Sequence, residues 1–311
     1  MRASQKPIVV VGSINLDLVA TTARIPAAGE TVLGSEFQMH PGGKGANQAV
    51  AVARLGYPVQ MIGKIGSDAL GDPLWGHLQK EGVGLEGVQR SDGASGVAMI
   101  VVSADGENCI VVTPGANAEV TPEYVDSHRD LIRNAGLVLT QLEIPLDTVE
   151  HVADLCLQYQ VPLILDPAPA QALPPSLLKR VRWFTPNETE AAFYAPNGLA
   201  VNDEATSRTR ARRLLSQGPE GVLLKMGARG LYLATDAIDE QLDAIPVKVV
   251  DTTAAGDSFN GAFAVGLLLG RSPKESARFA AAAAALSVTR AGAQPSMPHL
   301  QEVEQMLEKH L

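Results

Sequence analysis

Residues 251–261 read DTTAAGDSFNG, and they join a short apolar run at 247–250 to a helical pattern over 255–269. We interpret the apolar run as a strand, so that the small residues of this stretch lie where a helix begins. Small residues there let backbone N–H groups approach an anion, and the helix dipole favours negative charge. The stretch therefore predicts a strand, a turn and a helix of an α/β fold, with an anion site at the turn.

Asp257 places a carboxylate at this predicted anion site, where it would repel a bound phosphate. One interpretation is that it takes a proton from an incoming hydroxyl, since phosphoryl transfer needs charge neutralisation and an oriented nucleophile. The other is that Asp257 caps the helix and that Gly256 serves a tight turn. The stretch alone leaves both interpretations open.

Outward from this stretch, short β-branched runs alternate with helix-length segments along the chain. Most of the runs are continuously apolar, as expected for strands that are buried on both faces of a parallel sheet. The sequence therefore predicts an α/β fold with a mainly parallel sheet. Strands are expected at 8–11, 59–62, 137–139, 163–165, 183–185 and 222–224, and helices at 46–55, 73–81, 122–135, 146–159, 207–217, 255–269, 273–289 and 299–311.

Two segments, 15–39 and 96–113, interrupt this alternation. The first is strand-like with turn residues, and the second divides into two strands joined through Asp105 and Gly106, a pair typical of hairpins. Together they predict a small β-sheet that projects from the body as a lid over a cleft. Because so few strands are not stable alone, we expect two lids to pack together in a homodimer.

Composition excludes several classes of function. The chain has 311 residues, which suits one large domain, and a net charge of −9, which argues against nucleic-acid binding. Cys109 and Cys156 lack the spacing of a zinc site or a disulfide framework. No apolar stretch approaches the ~18 residues of a membrane span, and the N-terminal apolar run is too short for a signal peptide. We expect a cytoplasmic protein that binds neither nucleic acid nor membrane.

A second glycine-rich stretch, HPGGKGANQA at residues 40–49, leads into the first predicted helix. Glycines beside a lysine suggest a backbone that closely approaches a polar ligand. The spacing is not that of a Walker A loop. Taken singly, the stretch is better explained as a glycine-rich turn that caps an ordinary helix.

Taken together, residues 42–47 and 251–257 resemble the paired signatures of the ribokinase-like (PfkB) carbohydrate kinases. The resemblance extends over nearly the whole chain and includes 12–17, 26–31 and 288–296. Of these, 288–296 together with 12–17 favours the ribose kinases of the family over its fructokinases and adenosine kinases. It implies a single domain over all 311 residues, with a ribokinase-like three-layer α/β/α architecture, a mainly parallel sheet and a small β-sheet lid.

The resemblance also implies a reaction: ATP-dependent phosphorylation of the primary 5-hydroxyl of D-ribose, giving D-ribose 5-phosphate and ADP, with Asp257 as the general base. The implied sugar-binding positions are Asn15, Leu16, Asp17, Gly43, Lys44, Gly45, Ala46, Asn47, Glu143 and Asp257. Those for ATP and the anion hole are Asn187, Glu190, Lys225, Met226, Gly227, Ala228, Arg229, Gly230, Ala254, Ala255 and Gly256.

Two metal ions are implied as well. Mg²⁺ would be placed through Asn187 and Glu190, and water would mediate these contacts because Mg²⁺ keeps several of its waters. The second ion, potassium, would order the anion-hole loop from its own site and would not touch the substrate. The implied potassium positions, which bind largely through backbone carbonyls, are Asp251, Thr253, Ser287, Arg290, Gly292 and Ser296.

One position departs from the family pattern: Ala281 stands where a polar residue near the adenine is expected. This leaves the nucleotide selectivity open, but not the chemistry. A deoxyribokinase, a fructokinase or a nucleoside kinase of the same family remains an alternative, as does a non-catalytic sugar-binding regulator. A two-domain dehydrogenase is disfavoured because no Gly-x-Gly-x-x-Gly follows the first strand.

Overall fold

The computed structural model of the chain describes residues 5–196 and 204–310. Within these ranges, no helix has the length and apolar character needed to cross a bilayer. The strands are β1 (Ile8–Val11), β2 (Asn15–Thr22), β3 (Gly34–Gly42), β4 (Val59–Gly66), β5 (Gly84–Ser91), β6 (Gly96–Ser103), β7 (Asn108–Thr113), β8 (Leu137–Thr140), β9 (Leu163–Leu165), β10 (Trp183–Phe184), β11 (Gly221–Lys225), β12 (Leu231–Thr235) and β13 (Asp239–Leu242). The α-helices are α1 (Lys44–Arg54), α2 (Gly71–Lys80), α3 (Pro122–Ser127), α4 (Arg129–Arg133), α5 (Leu146–Tyr159), α6 (Pro175–Leu178), α7 (Glu188–Tyr194), α8 (Glu204–Leu215), α9 (Ala255–Leu268), α10 (Pro273–Ser287) and α11 (Leu300–His310).

Nine of the described strands form one large sheet in the order β13-β12-β11-β10-β9-β8-β1-β4-β5. Its neighbouring strands are parallel, except that β12 is antiparallel to both β11 and β13. Both faces are covered, because alternate residues of β1 enter different apolar clusters. Ile8 and Val10 share a cluster with Phe263 of α9, whereas Val9 and Val11 share one with residues of α5. The predicted three-layer α/β/α fold is confirmed.

The other four described strands form a separate small sheet, which we call the lid, in the order β3-β2-β6-β7. The two segments predicted to form it do pair, because β2 runs parallel to β6 over its whole length. β3 continues to Gly42, three residues beyond the predicted limit, and β6 and β7 form the expected hairpin. The lid therefore ends directly before α1, which carries the glycine-rich stretch into the body.

Most predicted helices are confirmed to within a few residues, and α5 has the predicted bounds. The predicted helix 122–135 is two short helices, α3 and α4, with a break at His128. The predicted helix 299–311 is α11, whose last predicted residue lies outside the described ones. Three strands, β5, β12 and β13, are not predicted by the sequence pattern. Of these, β5 and β13 are edge strands with the polar sequences GLEGVQRS and DEQL, so they lack the apolar run that marks the central strands.

The predicted strand 247–250 is wrong. This segment pairs with none of the described strands, and Val249 and Val250 are exposed. The Val250 N–H instead donates to the carbonyl oxygen of Val288 (2.7 Å), just past the end of α10. Apolar β-branched residues favour a strand only where a neighbouring surface buries them, and this segment has none. The helix predicted to follow it is nevertheless confirmed as α9.

The parallel strands β1, β8, β9, β10 and β11 end at the same edge of the large sheet. Ligands of open parallel sheets bind outside these carboxyl ends. The topology therefore collects polar residues that are far apart in the sequence at one place. Those that follow or end these strands are Ser13, Gln141, Glu143, Asp166, Asn187 and Lys225.

Candidate active site

Asp257 lies in the first turn of α9 and is buried, with only 4% of its surface exposed. The N-cap position belongs to Ala254, which has a left-handed backbone (φ 57°) and provides no side-chain cap. Asp257 itself accepts hydrogen bonds from side chains of another helix, so the interpretation of Asp257 as the helix cap is wrong. The Ala255 N–H donates to the Thr252 carbonyl oxygen (3.2 Å), but no side chain caps this helix start, which suits an anion site.

Two amides of α1 hold the Asp257 carboxylate. Asn47 donates from Nδ2 to Oδ2 (3.0 Å), and Gln48 donates from Nε2 to Oδ1 (3.1 Å). The other end of each amide is also bound, since Gln294 donates to Asn47 Oδ1 (3.0 Å) and Gln141 donates to Gln48 Oε1 (2.7 Å). Each amide therefore has one orientation that satisfies its partners, and the carboxylate is fixed with it.

The start of α1 packs directly on the turn between β1 and β2. Gly43 has φ 87°, and a Cβ atom there would lie 2.7 Å from the backbone nitrogen of Asn15. A Cβ atom on Gly45 would lie 2.6 Å from the backbone nitrogen of Ser13. Only glycine fits at these two positions. The glycine-rich stretch therefore lets the backbone of α1 contact the turn closely. This contact sets the directions in which the side chains of Asn47 and Gln48 point.

Three of the predicted sugar-binding side chains meet at the base of the lid. Asn15, which is buried, accepts a hydrogen bond from Asn117 Nδ2 (2.7 Å). Glu143 Oε2 accepts from Ser13 Oγ (2.5 Å) and from the backbone N–H of Lys44 (3.1 Å). Asp17 lies on β2 against the backbone of Gly42, at the end of β3. The side chain of Leu16, by contrast, is part of the core, so this position can offer a ligand only its backbone.

Acidic groups dominate the electrostatics of the cleft. Burial raises the pKa of Asp17 to about 7, with further contributions from Glu143 and Asp257. Burial also raises the pKa of Asp257 to about 6, an effect that Lys44 opposes and Asp166 reinforces. Burial alone would lower the pKa of Lys44, but the surrounding carboxylates outweigh it and raise that pKa. Lys44 is therefore an ammonium at any physiological pH, and Asp257 is ionised at neutral pH.

The residues predicted to bind the nucleotide lie at the ends of β10 and β11. Asn187 and Glu190 form a capping box at the start of α7: Asn187 Oδ1 accepts from the Glu190 N–H (2.8 Å), and Glu190 Oε2 accepts from the Asn187 N–H (2.8 Å). Burial raises the pKa of Glu190, which Lys225 opposes. After β11, Gly227 and the residues up to Gly230 form a single 3₁₀ turn.

Met226, directly before this turn, is buried in the core, and the guanidinium of Arg229, at the end of the turn, pairs with Glu188. Met226 can therefore reach a ligand only through its backbone. Ala281, the departure from the family pattern, lines a cavity of about 390 Å³ between β13, α10 and α11. An alanine there offers no side-chain hydrogen bond, so the nucleotide preference stays open.

Asp251 connects the two loops predicted to bind potassium. Its Oδ1 accepts from the N–H (2.8 Å) and hydroxyl (2.6 Å) of Thr253, and its Oδ2 accepts from the Gly292 N–H (2.8 Å). The guanidinium of Arg290 pairs with Glu302, which leaves its carbonyl as the group that a cation could use. Across residues 5–196 and 204–310, no group of three or more His, Cys, Asp or Glu side chains could hold a metal ion by itself.

Sequence reasoning missed several members of the site. Gln48 and Gln141 orient the carboxylate of Asp257, and Gln294 does so through Asn47. Asp166, directly after β9, accepts from Gln48 and from Lys225 Nζ (3.1 Å). One feature of the sequence could have identified Asp166 as a site residue: it is a carboxylate that directly follows an apolar strand of a parallel sheet.

Comparison of the sequence and the fold with known proteins assigns the chain to a known class of enzyme. The sequence profile described as "pfkB family carbohydrate kinase" matches residues 5–300, and the chain belongs to that family. Its relatives include the ribokinase of Bacillus subtilis (strain 168), which is 43% identical over 303 residues, 96% of this chain and 99% of the relative. The sequence-based recognition of the family is confirmed, and a dehydrogenase is excluded.

Solved structures agree with this assignment. The ribokinase of Thermotoga maritima matches with a TM-score of 0.89 at 38% identity, over 97% of this chain and 99% of that one. The ribokinase of Arabidopsis thaliana, solved with ribose and ATP, matches with a TM-score of 0.90 at 38% identity, again over 97% and 99%.

Proposed function

We propose that this chain transfers the γ-phosphoryl group of ATP to the primary 5-hydroxyl of D-ribose, giving D-ribose 5-phosphate and ADP. The observation that carries this proposal is the position and hydrogen bonding of the Asp257 carboxylate. It is a buried carboxylate at the uncapped start of α9, and two amides fix both of its oxygens. The similarity to ribokinases over nearly the whole chain supports ribose as the acceptor.

In the proposed reaction, Asp257 takes the proton of the 5-hydroxyl while the sugar oxygen bonds to the γ-phosphorus. The bond between that phosphorus and the oxygen bridging to the β-phosphate breaks, and ADP leaves. With a pKa raised only to about 6, Asp257 is ionised at neutral pH and still basic enough to serve as a general base. Turnover should fall as the pH drops through this value, because the base becomes protonated.

The sugar would be held where the lid meets the body. Asn15, Asp17 and Glu143 offer amide and carboxylate groups that pair with vicinal hydroxyls, and Asn47 contributes a further amide. The proposed anion hole consists of the backbone N–H groups of residues 254–256, which would face the transferring phosphoryl group. Lys44, held as an ammonium among carboxylates, offsets the negative charge of the cleft.

The activity is tested by measuring ADP release with ribose, deoxyribose, fructose and adenosine as acceptors. We expect kcat/KM for ribose to exceed the others by at least about tenfold, since a site built to hydrogen-bond a hydroxyl rejects an acceptor that lacks it. Equal or faster turnover of deoxyribose would instead support a deoxyribokinase. Sugar binding without any ADP release would support the non-catalytic regulator and contradict the proposal.

We also propose that Mg²⁺ and K⁺ support the reaction. Both carboxylate oxygens of Glu190 already accept hydrogen bonds from Asn187, so contact with Mg²⁺ through water fits these residues better than direct ligation. Bound Mg²⁺ would supply charge neutralisation of the phosphates. The Asp251 side chain joins the two loops close to the start of α9, and backbone carbonyls of these loops would be the ligands of a large monovalent cation.

The two cation proposals predict distinct results in one assay. Chelation of Mg²⁺ with EDTA should abolish ADP formation, and excess Mg²⁺ should restore it. Replacing K⁺ by tetramethylammonium should lower kcat more than it changes KM for the sugar, because the potassium loops do not contain the proposed sugar ligands. Full turnover in EDTA, or identical kinetics in both monovalent salts, would contradict the respective proposal.

The lid offers a surface for a second copy of the chain. Cross-strand partners share a face of a sheet, and Met39, Leu18, Met99 and Val111 form one such row across the four strands. Asp17 precedes Leu18 and so lies on the opposite face. Monomeric proteins rarely expose an apolar face of this kind. We therefore propose a homodimer in which these outer faces of two lids pack together.

A cytoplasmic location is part of the same proposal. Both cysteines are free, Cys109 being exposed on β7 and Cys156 buried on α5. An exposed thiol and the use of ATP are typical of a reducing intracellular compartment.

A further inference from the structure

Asp166 is a buried carboxylate to which the proposed mechanism gives no role. It follows β9 directly, and only 2% of its surface is exposed. Its two oxygens have different partners: Oδ1 accepts from Lys225 Nζ (3.1 Å), and Oδ2 accepts from Gln48 Nε2 (3.0 Å). Removing a carboxylate from water is unfavourable unless it is paired and hydrogen-bonded, so these two contacts offset the burial of Asp166.

The amide of Gln48 connects Asp166 to the catalytic carboxylate. An amide nitrogen carries two hydrogens, and Gln48 Nε2 contacts both Asp166 (3.0 Å) and Asp257 (3.1 Å), so each carboxylate receives one of them. Gln48 Oε1 accepts from Gln141 (2.7 Å). A flip of this amide would present its oxygen to two carboxylates and its NH₂ group to a donor. Asp166 and Gln141 together therefore fix the orientation of the Gln48 amide, which holds Asp257 Oδ1.

The second partner of Asp166 lies beside the proposed anion hole. A Cβ atom built on Gly256 would be 3.4 Å from Lys225 Nζ, which puts the ammonium at the first turn of α9. Lys225 ends β11, and its side chain is largely buried. A flexible lysine side chain carries considerable rotamer entropy. The ion pair with Asp166 restrains it at this position before any phosphate is present.

We propose that Asp166 is a positioning residue for phosphoryl transfer. Through Gln48 it orients the catalytic base Asp257. Through its ion pair it holds the Lys225 ammonium against the anion hole, where Lys225 contacts the transferred phosphoryl group. This inference rests on the proposed kinase function and deepens it. Neither Asp166 nor Gln48 would touch substrate, whereas Lys225 would.

The arrangement couples the charges of Asp166 and Lys225 to the base. The charges that act on Asp257 are those of Lys44 from α1, Asp17 from the lid and Asp166 after β9, and Lys225 Nζ lies beside Gly256, the residue before Asp257. Asp166 raises the pKa of Asp257. Removing the negative charge of Asp166 should therefore lower that pKa, and removing the positive charge of Lys225 should raise it. The acid limb of the pH profile should move in opposite directions in the two variants.

The test compares Asp166→Asn, Lys225→Met and the double variant in the pH profile of kcat/KM for ribose, which reports the enzyme before the sugar binds. We expect the acid limb of Asp166→Asn to move to lower pH and that of Lys225→Met to higher pH, with the double variant returning toward wild type. In Asp166→Asn, kcat should also fall on the order of tenfold to a hundredfold, since the base is no longer held in place. Lys225→Met should raise KM for ATP.

Asp239→Asn is the control, because Asp239 is likewise a carboxylate paired with cations, Arg208 and Arg212, but is partly exposed (15%) and lies on β13 at the far edge of the sheet. Its acid limb should stay where it is. The proposal would be overturned if the acid limbs of Asp166→Asn and Lys225→Met did not move, whatever the change in kcat. A purely structural role would lower activity without shifting the acid limb. The ¹³C titration of the Asp257 carboxyl gives the same comparison without turnover. Failure of the kinase assay is therefore distinguishable from failure of this inference.

Discussion

Replacing Asp257 by asparagine should lower kcat roughly 10²–10⁴-fold, the usual range for the loss of a general base, while sugar affinity changes little. Asparagine has the same shape but cannot accept the proton of the 5-hydroxyl. The proposed hydroxyl ligands Asn15, Asp17 and Glu143 are untouched by the change. Steady-state kinetics would give kcat, and calorimetric titration of ribose would give the dissociation constant.

The fold of this variant can be checked independently. Burial raises the pKa of Asp257 above its ordinary value, so the ionised carboxylate opposes folding at neutral pH. Removing the charge should leave the unfolding temperature unchanged or higher, as is common where an active site is destabilising. The control is Asp154→Asn. Asp154 is exposed on α5, where it pairs with Arg180, and its variant should keep full activity. Near-normal turnover of Asp257→Asn would remove Asp257 from the proposed role.

Asp257 illustrates how far sequence reasoning reached. The small residues at 251–256 and the long apolar pattern after them were enough to predict α9 and a carboxylate at its start. The strand predicted before them was wrong, because the valines of segment 247–250 have no sheet to pack on, and the Val250 N–H bonds to the Val288 carbonyl instead. A local pattern identifies the residues that begin a helix, but burial by a distant element decides whether a strand forms.

The network around Asp257 was not predictable in the same way. Gln48 lies one residue beyond the family signature at 42–47 and looks like any polar residue of an amphipathic helix. Its partners Gln141, Asp166 and Asp257 are 93, 118 and 209 residues away in the chain. They meet because β8 and β9 are neighbours in the sheet and end at the same edge. Strand order is a property of the tertiary fold that no single segment encodes.

The largest expected change in assembly comes from Met39→Asp. Met39 is 59% exposed on β3, in the apolar row that crosses the outer face of the lid. In a twofold dimer each such residue occurs in both copies, so the variant would bury two unpaired carboxylates. Desolvating a charge without a partner costs several kcal/mol, and each ~1.4 kcal/mol is a factor of ten in the dissociation constant. The variant should be monomeric at micromolar concentration.

Leu157→Asp provides the matched control, because Leu157 has a similar exposure (63%) but lies on α5 in the body. Light scattering at equal concentrations should give a dimer for the wild type and for Leu157→Asp, and a monomer for Met39→Asp. A wild-type monomer would contradict the dimer, and a dimeric Met39→Asp would exclude the outer lid face as its interface. The distinction matters for the site because β2 carries Leu18 of the apolar row on one face and Asp17 on the other. A lid braced by its partner would therefore hold a proposed sugar ligand in place.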